Sequence, residues 1–173
     1  ISRPLWPFSP LWVYIHTIGV YIYSFLEGLL KYFFNIRQTL IEMPDVYMIT
    51  LIGRILAGIF GAMTIPVVYL IGKRLYNERI GMLSAGIMAV FYLHVAESHF
   101  AYVDVPQTLF LAVSFYYMVK VSSGGGKVDS LLSGAFLAFS IATKISAGPG
   151  VVPLFIAHYI REKGIKGLIS SKY

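Results

Sequence analysis

Four apolar stretches set the terms on which this chain can fold, at residues 48–72, 80–98, 104–121 and 130–160. The first three match the roughly 17 to 25 residues an α-helix needs to cross a bilayer. The fourth is too long for one crossing and is interrupted by Gly148-Pro149-Gly150. It divides into spans near 130–145 and 147–160, with the polar Lys144-Ile145-Ser146 at the turn. In lipid every backbone polar group must be satisfied internally, so consecutive runs of this kind specify an all-α, multi-pass helical bundle.

Composition supports an integral membrane chain. Only 13% of the 173 residues are charged, against roughly 25% in a soluble domain, and the mean hydropathy is +0.73. The absence of cysteine excludes a disulfide framework and a thiolate metal site. The net charge of +6 does not mark a nucleic-acid partner, because the basic residues sit in short clusters at the ends of apolar runs. Lys73, Arg74 and Arg79 flank one connection; Lys120 and Lys127 flank the Gly-rich segment Ser122 to Gly126; Arg161, Lys163, Lys166 and Lys172 follow the last span. Alternating crossings bring all three clusters to one side, which the positive-inside rule makes cytoplasmic. The connection between the second and third spans, together with Lys144, then faces the external or lumenal side.

The first apolar stretch, Leu11 to Phe34, is of a different kind. It carries His16, Glu27 and Lys31, is dense in Tyr, and follows Pro4, Pro7 and Pro10. Aromatic density of this sort favours the membrane–water interface, so an interfacial helix on the external side is expected. Small residues recur every fourth position at Gly53, Ala57 and Gly61 and at Gly81, Ala85 and Ala89, which reads as close helix packing. The abrupt start at Ile1 and stop at Tyr173 read as a piece of a longer protein.

The scarce ionisable groups concentrate in one island, Glu97 to Gln107, between two spans. Ionisable groups at such places are costly and mark functional sites by default. Asp104, followed by Val105-Pro106, suits the first turn of a helix, where a carboxylate meets the positive end of the dipole. A cap alone explains Asp104 but not Glu97 and His99 beside it. His94, Glu97 and Ser98 share one helix face. Glu97, His99 and Asp104 leave room for a divalent cation or a sugar hydroxyl, although their spacing matches no strict metal motif.

Two cations complete the picture. Lys144 lies on the side where lysine is disfavoured, either snorkelling to the surface or countering the phosphate of a lipid carrier. Arg54 lies six residues into apolar sequence, where an unpaired guanidinium costs about 2.5 to 3.5 kcal/mol on insertion scales. Its partner is Glu42 or Asp45 locally, or a phosphate gripped by the bidentate fork. Gly124-Gly125-Gly126 lacks the Lys-Ser/Thr of a phosphate cradle and reads as a flexible turn.

The order Gly53-Arg54-Ile55-Leu56, then Ile65 to Tyr76, then Ser98-His99-Phe100-Ala101-Tyr102-Val103-Asp104-Val105-Pro106, then Ala142-Thr143-Lys144, resembles the multi-pass GT-C glycosyltransferases. The nearest kin look like the protein O-mannosyltransferases and the aminoarabinose transferases of lipid A, the family 39 type, over nearly the whole chain. The resemblance implies one transmembrane glycosyltransferase domain of which residues 1–173 are a partial copy, with 1–47 the end of the first external loop. It implies a membrane enzyme that takes a sugar from a polyprenyl or dolichyl phosphate carrier and transfers it, with inversion, to an acceptor on the external or lumenal face. Trp6-Pro7-Phe8-Ser9-Pro10-Leu11 is similar to the family's proline-rich segment, without its His-Pro-Pro-Leu form.

The family's catalytic acidic residues lie upstream of Ile1, so residues 1–173 alone are expected to be inactive. On this reading Asp104 and His99 are the catalytic-site residues, Arg54 and Lys144 bind the lipid phosphate, and no resident metal is assigned. The partners are a lipid-linked sugar donor, membrane lipid and an acceptor of unknown class. The setting is the plasma membrane of a prokaryote or the endoplasmic reticulum of a eukaryote. Two other functions fit the composition: a transporter segment, which should show a repeated half with matching breaks where no internal repeat is evident, and a non-catalytic membrane assembly subunit.

Overall fold

The computed structural model describes residues 10–33 and 46–170, all of whose regular elements are helical. In chain order they are α1 (Pro10–Phe33), α2 (Val46–Leu75), α3 (Glu78–Val90), α4 (Tyr92–Ser98), α5 (Asp104–Ser122), α6 (Lys127–Thr143), a 3₁₀ turn (Ile145–Gly150) and α7 (Val151–Ser170). Residues Trp6 to Ser9, Glu42 and Asp45, the side chains of Lys163 and Lys166, and Lys172 lie outside the described residues. The all-α membrane bundle read from the sequence is the fold.

Local chemistry accounts for most of the boundaries. Lys73 and Arg74 close α2 at the negative end of its dipole. Asn77 then caps α3, its side-chain oxygen accepting from Ile80 N–H at 3.0 Å, with Glu78 in the first turn. The α2–α3 hairpin closes tightly because a Cβ on Gly72 would come within 2.9 Å of Gly81 Cα. Between α5 and α6, Gly124 adopts φ +91°, a conformation L side chains avoid, while the Gly125 N–H caps Lys120 C=O at 2.9 Å. The Asp129 carboxylate accepts from Gly126 N–H at 3.0 Å to open α6.

One boundary has no local cause. The run 80–98, read as a single span, is two helices bent by 57° at Phe91, whose backbone is extended. Neither Pro nor Gly marks the break. What the bend achieves is contact: α4 turns onto the small-residue face of α2, where His94 Nε2 donates to Gly61 C=O at 3.1 Å. A Cβ on Gly61 would overlap Ser98, and one on Gly53 would come within 2.7 Å of Ala101 and 2.9 Å of His16. The face of Gly53, Ala57 and Gly61 therefore seats both α1 and the island.

Among the described residues, α1 (Leu11–Leu30) and α2 (Tyr47–Leu75) are long and apolar enough to cross a membrane, and the bent α3–α4 pair makes a third if it counts as one span. The interfacial reading of α1 thus meets a helix with the length and hydropathy of a crossing. α6 has 17 residues, the lower limit for a crossing, and the 19 of α5 include Asp104, Gln107 and Lys120; along the seam their polar residues face each other. Ser114 Oγ donates to Ser133 C=O at 2.7 Å, and Ser140 Oγ donates to Gln107 C=O at 3.0 Å. Gln107 and Ser114 are seven residues apart, as are Ser133 and Ser140, so the rungs repeat every two turns of the antiparallel pair. Hydrophobic association does not drive helices together within lipid, so such bonds and close packing hold the hairpin. Below it Met118, Val121, Leu137 and Ala157 form a buried cluster joining α7.

Candidate active site

The island is a turn built at the end of α4. Ser98 Oγ donates back to His94 C=O at 2.7 Å, and the His99 and Phe100 N–H groups close the helix on Ala96 and Glu97. The chain then re-enters helix at Asp104, in the first turn of α5; the cap position itself is Val103, which makes no side-chain cap bond. Asp104 is thus freed from capping. Its Oδ1 instead accepts from Lys144 Nζ across the head of the α5–α6 hairpin. Both side chains are a little under half exposed, and exposed ion pairs contribute about 0–1 kcal/mol. The pair therefore matters more for position than for stability.

Position is reinforced from the next turn of α5. Gln107 Nε2 donates to Ser146 Oγ at 2.9 Å and to Lys144 C=O at 3.4 Å. Lys144 is the extended residue that ends α6, so α5 holds its ammonium through Asp104 and its carbonyl through Gln107. Sequence reading singled out Asp104 and Lys144 but missed Gln107, Ser140 and Ser146. The seven-residue spacing of Gln107 and Ser114 against Ser133 and Ser140 is the signal that could have found the first two.

α4 and the turn after it separate two clefts. One, about 570 Å³, is lined by Arg54, Ile55, Gly58, Ser98, His99 and Phe100. Arg54 is exposed and has no carboxylate partner among the described residues. His99 Nδ1 bonds Val95 C=O at 2.7 Å, leaving Nε2 for other partners. The other cleft, about 240 Å³, is lined by residues that include Phe91, His94, Glu97, Asp104, Val105 and Thr108. The four groups singled out from the sequence are thus divided: Arg54 and His99 share one cleft, while Asp104 lines the other and pairs with Lys144. The trio Glu97, His99 and Asp104 is split as well, and no group of three or more metal-ligating side chains converges among the described residues.

A family model described as dolichyl-phosphate-mannose-protein mannosyltransferase matches residues 49–172, from the start of α2 past the end of α7. The chain belongs to this family. It is a family of mannosyltransferase-type glycosyltransferases, in agreement with the GT-C resemblance read from the motifs. Searches of curated proteins and of solved structures returned no match.

The far end of this mannosyltransferase-family bundle is built differently. Tyr69 O–H donates to Glu78 at 3.1 Å and accepts from Lys73 Nζ at 3.2 Å, while Lys73 and Glu78 lie 3.6 Å apart. Lys120 pairs with Asp129 and sits 5.1 Å over the Tyr117 ring. Arg161 Nη1 donates to Ser130 Oγ at 2.9 Å. The Lys120 ammonium holds the Asp129 carboxyl below the usual carboxylate range, aided by Gly126 N–H and the charge of Arg74. Arg74, Lys120 and Arg161, one from each basic cluster, therefore gather around a single end, opposite the island.

Proposed function

We propose that this protein transfers a sugar, mannose by its family's description, from a polyprenyl or dolichyl phosphate carrier to an acceptor hydroxyl on the external or lumenal face of a membrane. The observation that carries this reading is Arg54: a guanidinium without a carboxylate partner among the described residues, on the wall of an open cleft it shares with His99. An arginine so placed in an apolar helix calls for an anion, and a phosphate accepts its two-pronged donation.

In the transfer, the bond from the anomeric carbon to the phosphate oxygen breaks and its electron pair leaves with the phosphate. The acceptor oxygen bonds the anomeric carbon from the opposite face, and its proton passes to a carboxylate base. Charge grows on the departing phosphate, and fixed cations favour that state over the ground state. Arg54 meets the phosphate directly in this scheme. Lys144, held by Asp104 and Gln107, supplies a second positive charge at the same end of the bundle, and His99 Nε2, the acceptor of a ring whose Nδ1–H is given to Val95 C=O, accepts from a sugar hydroxyl. The multi-pass membrane setting, plasma membrane or endoplasmic reticulum, follows from the requirement for a lipid-borne donor.

The test is transfer of radiolabelled mannose from a polyprenyl-phosphate donor by the full-length protein in membranes. Arg54→Ala should lower turnover by about 10²–10³, the usual consequence of losing one preorganised donor. Arg54→Lys should restore only part of it, because an ammonium lacks the fork. Turnover equal to wild type in the alanine variant removes Arg54 from the site and the reading with it.

A further inference from the structure

The smaller cleft is chemically the inverse of the Arg54 cleft. Its polar side chains offer acceptors. The Glu97 carboxylate has no hydrogen-bond or ion-pair partner among the described residues. Asp104 gives Oδ1 to Lys144 and retains Oδ2. Thr108 spends its own proton on Asp104 C=O at 2.7 Å, so its oxygen is left to accept. His94 donates through Nε2 to Gly61 C=O, which leaves Nδ1 as the acceptor of the neutral ring. Facing these groups are apolar walls, among them Phe91 at the α3–α4 bend and Val105. A ligand for such a cleft brings several donors on one edge and a non-polar face on the other. Its volume, about 240 Å³, lies below the roughly 300–1,000 Å³ of drug-sized sites, which suits a single ring.

We propose that this cleft binds a pyranose ring, with hydroxyls donated to Glu97, Asp104 and Thr108 and the C–H face laid against Phe91. A simple metal cation would need three converging ligands, which the described residues do not supply, and would leave the aromatic wall unused. The proposal deepens the transferase reading by giving an acceptor sugar a place separate from the phosphate. It rests on that reading only for the origin of the ring: the donor's own sugar is bonded to the phosphate across α4, so the ring here is a sugar already on the acceptor.

Binding of methyl α-mannopyranoside to the full chain in detergent micelles, followed by saturation-transfer NMR, tests the proposal without requiring turnover. Wild type should saturate with the sugar. Glu97→Gln, nearly isosteric, should weaken binding about tenfold, since hydrogen bonds to charged groups are the strong ones. Thr108→Val should weaken it by a smaller factor, and Lys120→Ala at the far end of the bundle should leave it unchanged. Displacement of the mannoside by a mannosylated peptide supports a sugar-bearing acceptor, and displacement by polyprenyl-phosphate mannose alone, whose phosphate would have to lie beside the ring, overturns that origin. Equal binding by wild type and both Glu97→Gln and Thr108→Val, or displacement by methylammonium rather than by sugars, overturns the proposal. Failure of the Arg54 transfer test alongside an intact Glu97 effect would sink the phosphate assignment and leave the sugar cleft standing.

Discussion

The two ends of the bundle use charge in opposite ways. At the basic end two carboxylates are consumed locally: Glu78 by Lys73 and Tyr69, Asp129 by Lys120 and Gly126 N–H. These contacts close the α2–α3 and α5–α6 hairpins. At the island end Asp104 meets Lys144 across the hairpin, but Arg54 and Glu97 are left facing clefts on either side of α4. Charges that only fasten helices are matched within a turn. Charges kept without partners in an apolar protein await something that is not part of the fold.

That contrast can be broken by experiment, most sharply through activity. Arg54→Ala should lower sugar transfer by about 10²–10³, whereas Lys120→Ala at the other end should leave turnover per folded molecule unchanged, since Lys120 lines neither cleft. Comparable losses from both variants, measured at matched membrane expression, would erase the distinction between the ends. Next in size is the seat of the island. Gly61→Leu forces a side chain into Ser98 and should cost about 1–3 kcal/mol as overpacking does, read as a lower thermal midpoint in micelles.

Smaller still is the effect of a single rung. Ser114→Ala removes the donor to Ser133 C=O and should destabilise the hairpin by about 0.6 kcal/mol, the average for such bonds in membranes. The weakest effect is that of pH at the basic end. Asp129 has a lowered pKa in the fold, so its contribution is fully present above the unfolded value near 3.9 and is lost as pH falls through the lower folded value. The protection factor of the Gly124–Lys127 turn against hydrogen exchange should therefore fall below about pH 4, and Asp129→Asn should abolish that pH dependence.

Gln107 sharpens the contrast within the island itself. Gln107→Ala frees the Lys144 carbonyl and Ser146 while leaving the Asp104–Lys144 pair in place. If Lys144 must be aimed at a departing phosphate, turnover should fall with little change in the donor KM. A purely structural role would lower the thermal midpoint with turnover per folded molecule preserved.

Much of this architecture is written locally. Apolar runs, the Asn77 cap, the triple glycine and the Gly148-Pro149-Gly150 break each act within a few residues, so helices, turns and the all-α membrane fold could be read along the chain. So could the chemistry-bearing residues, because charge is conspicuous in apolar sequence. What tertiary structure alone decided is who meets whom. The pairing of Asp104 with Lys144 spans forty residues and that of His94 with Gly61 thirty-three, distances at which no local pattern operates. The bend at Phe91 has no breaker in the sequence; α4 tilts because the glycine face of α2 lets it approach. That tilt places Arg54 and His99 on one side and Glu97 and Asp104 on the other. One island of charge in the sequence thereby becomes two clefts of opposite character.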